Sequence, residues 1–476
     1  DGARSPSIGR SLRGQTAAFA RACLRRLRLF PALPSRVSCH PLLDDSARFA
    51  LTATPLHLKI TGAPLAQDST RASAVLADLQ RRCREEPELV SLGDMLARPN
   101  VQALLEGTIA PSQFLSSLIE RNPAALQDTL LSGPEERFEA LRAAARAVAD
   151  AGSLVEAMRG LRVFKSDVAL LTALCDLGGV WPVMTVARVL SEAADTAVSA
   201  AVKFLFAQAR AKGDWLAPDE QGYFVLAMGK HGAMELNYSS DIDLIVFYEL
   251  DKLNLREGLE PQRFLVRLTR DLVQLLHERT EHGYVFRTDL RLRPDPGSTP
   301  LAISTEAALN YYEGVGQNWE RAALIKARVI AGDIETGRSF LAELAPFIWR
   351  KYLDFAAIAD IHAMKRQIHA FRGFGEIAVA GHDIKVGRGG IREIEFFVQT
   401  QQLIAGGRQP ELRVSQTLLG LERLEARGWI KPRVREDLDA AYRFLRTVEH
   451  RLQMVADEQT QTLPEDTDKL ASLARF

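Results

Sequence analysis

Two carboxylates stand two residues apart in the stretch Asn237 to Phe247, NYSSDIDLIVF, where an apolar, β-branched run begins. In an extended strand successive side chains point to opposite faces, so Asp241 and Asp243 share one face while Ile242, Leu244 and Val246 share the other. Like charges this close resist ionising together unless a cation lies between them. A third acid, Asp289, sits in VFRTDLRLRP, a run that alternates strictly and reads as a neighbouring strand. Three carboxylates supply hard oxygen ligands of the kind Mg2+ takes. A pair of such ions about 4 Å apart can stabilise both the attacking and the leaving oxygen of an in-line displacement at phosphorus. Alone, D-x-D also describes a turn cap at Asp241 and an edge strand at Asp243. The third carboxylate and a glycine turn upstream favour the metal site.

Groups suited to an anion surround these acids in sequence. Gly229-Lys230-His231-Gly232 follows a short apolar run and lacks the Walker spacing, yet glycine backbone could approach a phosphate there; a plain tight turn is the simpler account. In VFRTDLRLRP the alternation puts Arg287, Asp289, Arg291 and Arg293 on one strand face, where three guanidinium groups around one carboxylate call for an anionic partner or for acids elsewhere. Lys385 to Glu395, KVGRGGIREIE, reads as a loop entering a helix, with Lys385 and Arg388 at an anion site or in an ordinary linker. Gln317 to Arg328 reads as a helix whose Arg321 and Lys326 are solvated surface or interface.

The elements that must position these residues follow from periodicity. Ala74 to Lys212 is Ala- and Leu-rich with apolar residues at helical spacing; Val168, Leu171, Leu174 and Cys175 share a face that Gly178-Gly179 stops. Tyr223 to Met228 reads as a buried strand. Pro261 opens an amphipathic helix through Phe264, Leu268, Leu272 and Leu276, ended by Gly283. Beyond Ile334 the pattern is helical again over 361–371, 391–404 and 438–455. The expected class is α+β, a small mixed sheet between two helical domains. Boundaries fall at 1–70, a poorly defined basic tail; 71–215, helical; 216–333, the sheet core; and 334–476, helical. Both ends look cut, which predicts a fragment of a longer chain, and the Arg- and Ser-rich start also fits an organellar transit peptide.

Composition narrows the classes. At 476 residues, two or three domains are expected, and 60 Lys+Arg balance 60 Asp+Glu, leaving no overall field for nucleic acid or an anionic membrane. The four cysteines are scattered without C-x-x-C spacing, and the nine histidines show no H-x-x-x-H, so a disulfide framework and zinc are disfavoured and a reducing cytoplasm is expected. Charges interrupt every apolar run short of membrane-spanning length.

Five segments in order, LAMGKHGAMELNYSSDIDLIVFYE, VFRTDLRLRPDPGSTPLAIS, YYEGVGQNWERAALIKARVIAGD, DIKVGRGGIREIEFFVQTQQLI and VEHRLQMVADEQTQTLP, resemble the bacterial bifunctional glutamine synthetase adenylyltransferase/adenylyl-removing enzymes. The resemblance runs from Leu226 to Pro464 and implies the nucleotidyltransferase fold. It further implies that the chain is the half that removes AMP from a tyrosine of glutamine synthetase by Mg2+-dependent phosphorolysis, releasing ADP. It places the metal on Asp241, Asp243 and Asp289. Nucleotide or phosphate would meet Gly229, Lys230, Ser240, Arg287, Arg291, Arg293, Lys385 and Arg388. The implied partners are glutamine synthetase, a PII signal protein, ADP or AMP, and phosphate, in control of nitrogen assimilation. Ala233-Met234 departs from the family's usual Gly-Gly or Gly-Arg, and the second, adenylylating half is missing from the chain. Rival readings are a module that only docks glutamine synthetase and PII, the adenylylating activity itself, and a nucleic-acid nucleotidyltransferase, which the zero net charge disfavours.

Overall fold

A computed structural model describes residues 54–65, 69–350 and 379–476. The basic start of the chain, Cys23 and Cys39, and the helix expected over 361–371 lie outside the described residues.

The architecture is α+β. Helices from Ser69 onward culminate in two long ones, Leu154–Leu177 and Val183–Ala211. The face predicted for the first is realised: Val168, Leu171, Leu174 and Cys175 are fully buried, and Gly179 takes the left-handed conformation that ends it (φ +67°). The sheet follows, built from β1 (Tyr223–Ala227), β2 (Asp241–Tyr248), β3 (Arg287–Asp289), β4 (Ala302–Ser304) and β5 (Arg328–Gly332). β1 runs antiparallel to β2 and β5, while β3 and β4 pair in parallel with the two ends of β2.

Both faces of this sheet are covered, which is why β1 and β2 read as continuous apolar runs. On one face Tyr223, Val225, Ile242, Leu244 and Val246 join the core of the N-terminal helices and the amphipathic helix Pro261–His277. On the other, Phe224, Leu226, Ile245 and Phe247 pack with Tyr312, Phe340 and Phe347. The Pro261 start is capped by Glu260, whose carboxylate accepts from the amides of Gln262 and Arg263. A third core lies between the helices Ile391–Ala405, Thr417–Ala426 and Pro432–Met454.

Three expectations are corrected. The alternating strand over Tyr284 to Pro294 is paired only at Arg287–Asp289. The Asp289 carboxylate accepts from the Arg291 amide at 2.8 Å, turning the chain, and Arg293 donates to the carbonyls of Leu290, Pro296 and Thr299, clamping the turn around Pro294. Of the four alternating residues, only Arg287 and Asp289 therefore share a strand face. Gly229-Lys230-His231-Gly232 is a single helical turn. Arg321 and Lys326, expected on a solvated surface or at an interface, are buried within the chain: Arg321 donates to the carbonyls of Phe347 and Ile348, and Lys326 lies beyond the Asn318–Leu324 helix against two carboxylates.

Candidate metal centre

β2 begins with Asp241 and β3 ends with Asp289, and their parallel register sets Asp243 opposite Asp289 and Asp241 opposite Arg287. Asp241, Asp243 and Asp289 each present a carboxylate oxygen within 4.8 Å of the others, all half-buried. Burial, and then the charges of Asp241 and Asp289, push Asp243 up to about 6. That is the condition of an acid crowded by its own kind, which a divalent cation relieves. Three hard oxygens with this geometry fit Mg2+.

The glycine turn serves these acids sterically. Gly229 has φ +55°, and a Cβ there would stand 2.6 Å from Asp243 Oδ2, so glycine alone lets the turn press against the carboxylate. The Met228 amide donates to the Asp243 carbonyl at 2.9 Å, joining the turn to β2.

The basic residues named from sequence disperse. Arg291, itself exposed, grips Asp289 with Nε and a terminal nitrogen (2.9 and 2.5 Å), and this hydrogen bonding holds Asp289 below its ordinary value. Arg287 donates to Tyr284 Oη at 2.6 Å and to Ser239 Oγ at 3.0 Å. Ser240 Oγ lies 3.5 Å from Asp241 Oδ1. Lys385 is half-buried, and its charge is one of those drawing Asp243 downward, whereas Arg388 is exposed in the loop before Ile391. Arg293 belongs to its turn. Lys230 pairs with Glu395, 3.1 Å distant, while its charge, like that of Lys385, still draws Asp243 downward. Burial alone would raise Glu395, but Lys230, Lys326 and Arg446 outweigh it and keep it ionised, so the Lys230 ammonium is already charge-paired.

Residues that sequence reading could not assign hold the loop before β2. Arg446, Glu449 and Gln453 recur every three or four residues on one face of the Pro432–Met454 helix, and none of them is exposed. Arg446 donates to the carbonyls of Glu235 and Leu236, Asn237 donates to Glu449 at 2.8 Å, and the Ser239 amide donates to Gln453 Oε1 at 2.8 Å. The Glu235 carboxylate accepts from the Thr417 amide and hydroxyl and from Tyr442. The VEHRLQ segment is thus the template on which NYSSDID is laid. In sequence the segment stands out as part of the resemblance, and the physical signal of its role is the density of polar residues, Arg446, Glu449, His450 and Gln453, on one helix face.

The same helix reaches the N-terminal helices through Asp176, which meets Arg451 at 2.9 Å and His450 at 3.3 Å. Burial would raise Asp176, but Arg451 and His450 outweigh it and draw the acid down to about 2. A carboxylate with a folded value below its unfolded one of about 3.9 adds stability that is complete above the unfolded value and lost as the pH falls through the folded one. Between about pH 5 and pH 2 the chain should therefore lose roughly 2 kcal/mol through this group. Urea unfolding at stepped pH should show it, and Asp176→Asn should flatten that part of the profile.

Residues 102–343 match the family described as glutamate-ammonia ligase adenylyltransferase, and residues 361–476 match that described as GlnD PII-uridylyltransferase. Among curated relatives, bifunctional glutamine synthetase adenylyltransferase/adenylyl-removing enzymes are 55% identical over 385 residues in Rhodopseudomonas palustris, 52% over 416 in Bradyrhizobium diazoefficiens and 50% over 444 in Xanthobacter autotrophicus. These alignments cover 79%, 86% and 92% of this chain and 39%, 41% and 44% of the relatives, so the chain spans about two fifths of their length. With the family match running from the N-terminal helices through the whole sheet and its acidic triad, the chain belongs to the glutamate-ammonia ligase adenylyltransferase family.

Proposed function

We propose that this chain is a Mg2+-dependent nucleotidyltransferase that removes AMP from a modified tyrosine of glutamine synthetase by phosphorolysis, releasing ADP. The observation that carries the reading is the convergence of Asp241, Asp243 and Asp289 where the start of β2 lies beside the end of the parallel strand β3. In balanced form, an oxygen of inorganic phosphate bonds to the AMP phosphorus, the bond from that phosphorus to the tyrosine oxygen breaks, and the phenol regains a proton. A phenol with a pKa near ~10 is a fair leaving group.

When bound, Mg2+ supplies electrostatic stabilisation of the charge that develops on the phosphoryl oxygens. The chain's own residues do the rest. Asp241, Asp243 and Asp289 hold the ion. Arg291 is exposed and reaches the rim of the triad, where its guanidinium can take a phosphate in place of Asp289. Lys385 brings positive charge to bear on Asp243, and Gly229 keeps the wall beside Asp243 free of a side chain. Arg287, Ser240 and Lys230 act one step back, by holding the strand, the loop and the glycine turn. The helices from Ile391 onward fall within the match to the PII-uridylyltransferase family, which supports a PII signal protein as the regulatory partner.

The test is ADP release from AMP-modified glutamine synthetase with Mg2+, with and without phosphate. Phosphate-dependent ADP is expected. Pyrophosphate formed from ATP and unmodified glutamine synthetase would instead assign the adenylylating direction. The absence of both, with binding of glutamine synthetase intact, would assign a docking module.

A further inference from the structure

The turn that follows the Pro432–Met454 helix comes to the acidic triad from the far end of the chain. Gln459 Nε2 donates to Asp241 Oδ1 at 2.7 Å. Two residues earlier, Asp457 takes a left-handed backbone (φ +53°) and accepts from Tyr284 Oη at 2.8 Å. Tyr284 in turn accepts from Arg287, the residue opposite Asp241 in the strand register, and Arg287 donates onward to Ser239. Gln453, at the end of the helix itself, already holds the Ser239 amide. Three points on one short segment therefore end on three groups bracketing Asp241.

From this we propose that Gln459 is a positioning residue of the metal centre, orienting Asp241 for a divalent cation, with Asp457 and Gln453 fixing the turn that presents it. The inference rests on the reading of the triad as a metal site. Its chemistry is specific. An amide donor on Oδ1 fixes the carboxylate's rotation and leaves Oδ2 to the ion, and it does so without cancelling charge. A lysine or arginine at that position would compete with the ion. Gln459 is exposed, and a single exposed hydrogen bond adds little to folding, so stability gives no reason for a glutamine at this point. The donor comes from outside the sheet core, so the centre is complete only when the C-terminal helices are docked.

Groups that orient a metal ligand from behind typically change metal affinity by about 10- to 100-fold when removed. The experiment titrates the chain with Mn2+ alone, reading bound ion by electron paramagnetic resonance, for wild type, Gln459→Ala, Gln459→Leu and Asp241→Asn, with thermal unfolding of each in metal-free buffer. Gln459→Ala and Gln459→Leu should weaken Mn2+ binding about tenfold or more at an unchanged midpoint, and Asp241→Asn should lose it. In the ADP assay the two Gln459 variants should need more metal for half-maximal rate while keeping the wild-type rate at saturation, a split that a merely structural role would not produce. Wild-type Mn2+ affinity in both Gln459 variants, with Asp241→Asn defective, would overturn the positioning role and leave the metal centre standing. Undiminished binding in Asp241→Asn would overturn the metal centre and this inference together.

Discussion

If the chain acts as proposed, Asp243→Asn should cut phosphate-dependent ADP release by about a thousandfold or more, because it would remove one ligand of the ion and the charge that holds it, an electrostatic contribution worth several kcal/mol in the transition state. The same change should leave the chain as stable as wild type in metal-free buffer, or slightly more so. Burial, and then the charges of Asp241 and Asp289, push Asp243 up to about 6, so replacing it relieves repulsion instead of breaking a contact. Loss of activity with stability retained is the signature of a group kept for chemistry at some cost to the fold. A variant with activity within a few-fold of wild type would remove Asp243 from the mechanism. One that unfolds would mean that its role is structural.

Arg446→Ala should give the largest loss of stability of any single change proposed. Its guanidinium has no exposure, donates to the carbonyls of Glu235 and Leu236 and lies 3.2 Å from the equally buried Glu449. Removing it strands Glu449 without its cation, and breaking a buried pair this way costs about 3–5 kcal/mol. Arg446→Met combined with Glu449→Gln removes both charges, keeps an acceptor for Asn237 and should cost distinctly less. Chemical unfolding of the single and double variants measures the difference. A single variant within about 1 kcal/mol of wild type would show that the pair is not what anchors the helix to the loop.

The two expectations act on one structure from opposite sides. The carboxylates of β2 are half-buried and close to one another, which is unfavourable without an ion. The Pro432–Met454 helix resists any relaxation of the loop that leads into them, through Glu235, Leu236, Asn237 and Ser239. A rigid frame around crowded like charges is the arrangement that binds a small, hard cation firmly.

Much of this was legible in the residues themselves. Alternation placed Asp241 and Asp243 on one face, an uninterrupted apolar run marked β1, and helical spacing with Gly178-Gly179 marked the helix Leu154–Leu177, because these are local properties of period and backbone freedom. The strand around Asp289 was overextended, since alternation continues in the sequence through Arg291 and Arg293 while the Asp289 carboxylate and Pro294 turn the backbone. Short-range competition between side chain and ladder decided that, and a pattern of period two does not register it.

By itself, then, the sequence determined which acids could gather, the α+β class and the elements on which β2 and its glycine turn stand. Only the tertiary structure decided which basic groups face those acids and what holds the loop before them. Lys230 turns to Glu395, 165 residues away in the chain, Ser239 rests on Gln453, 214 residues away, and Asp241 meets Gln459, 218 residues away. The physical reason is that burial sets the value of a charge or an amide, and burial is assembled from segments whose separation along the chain carries no periodic trace.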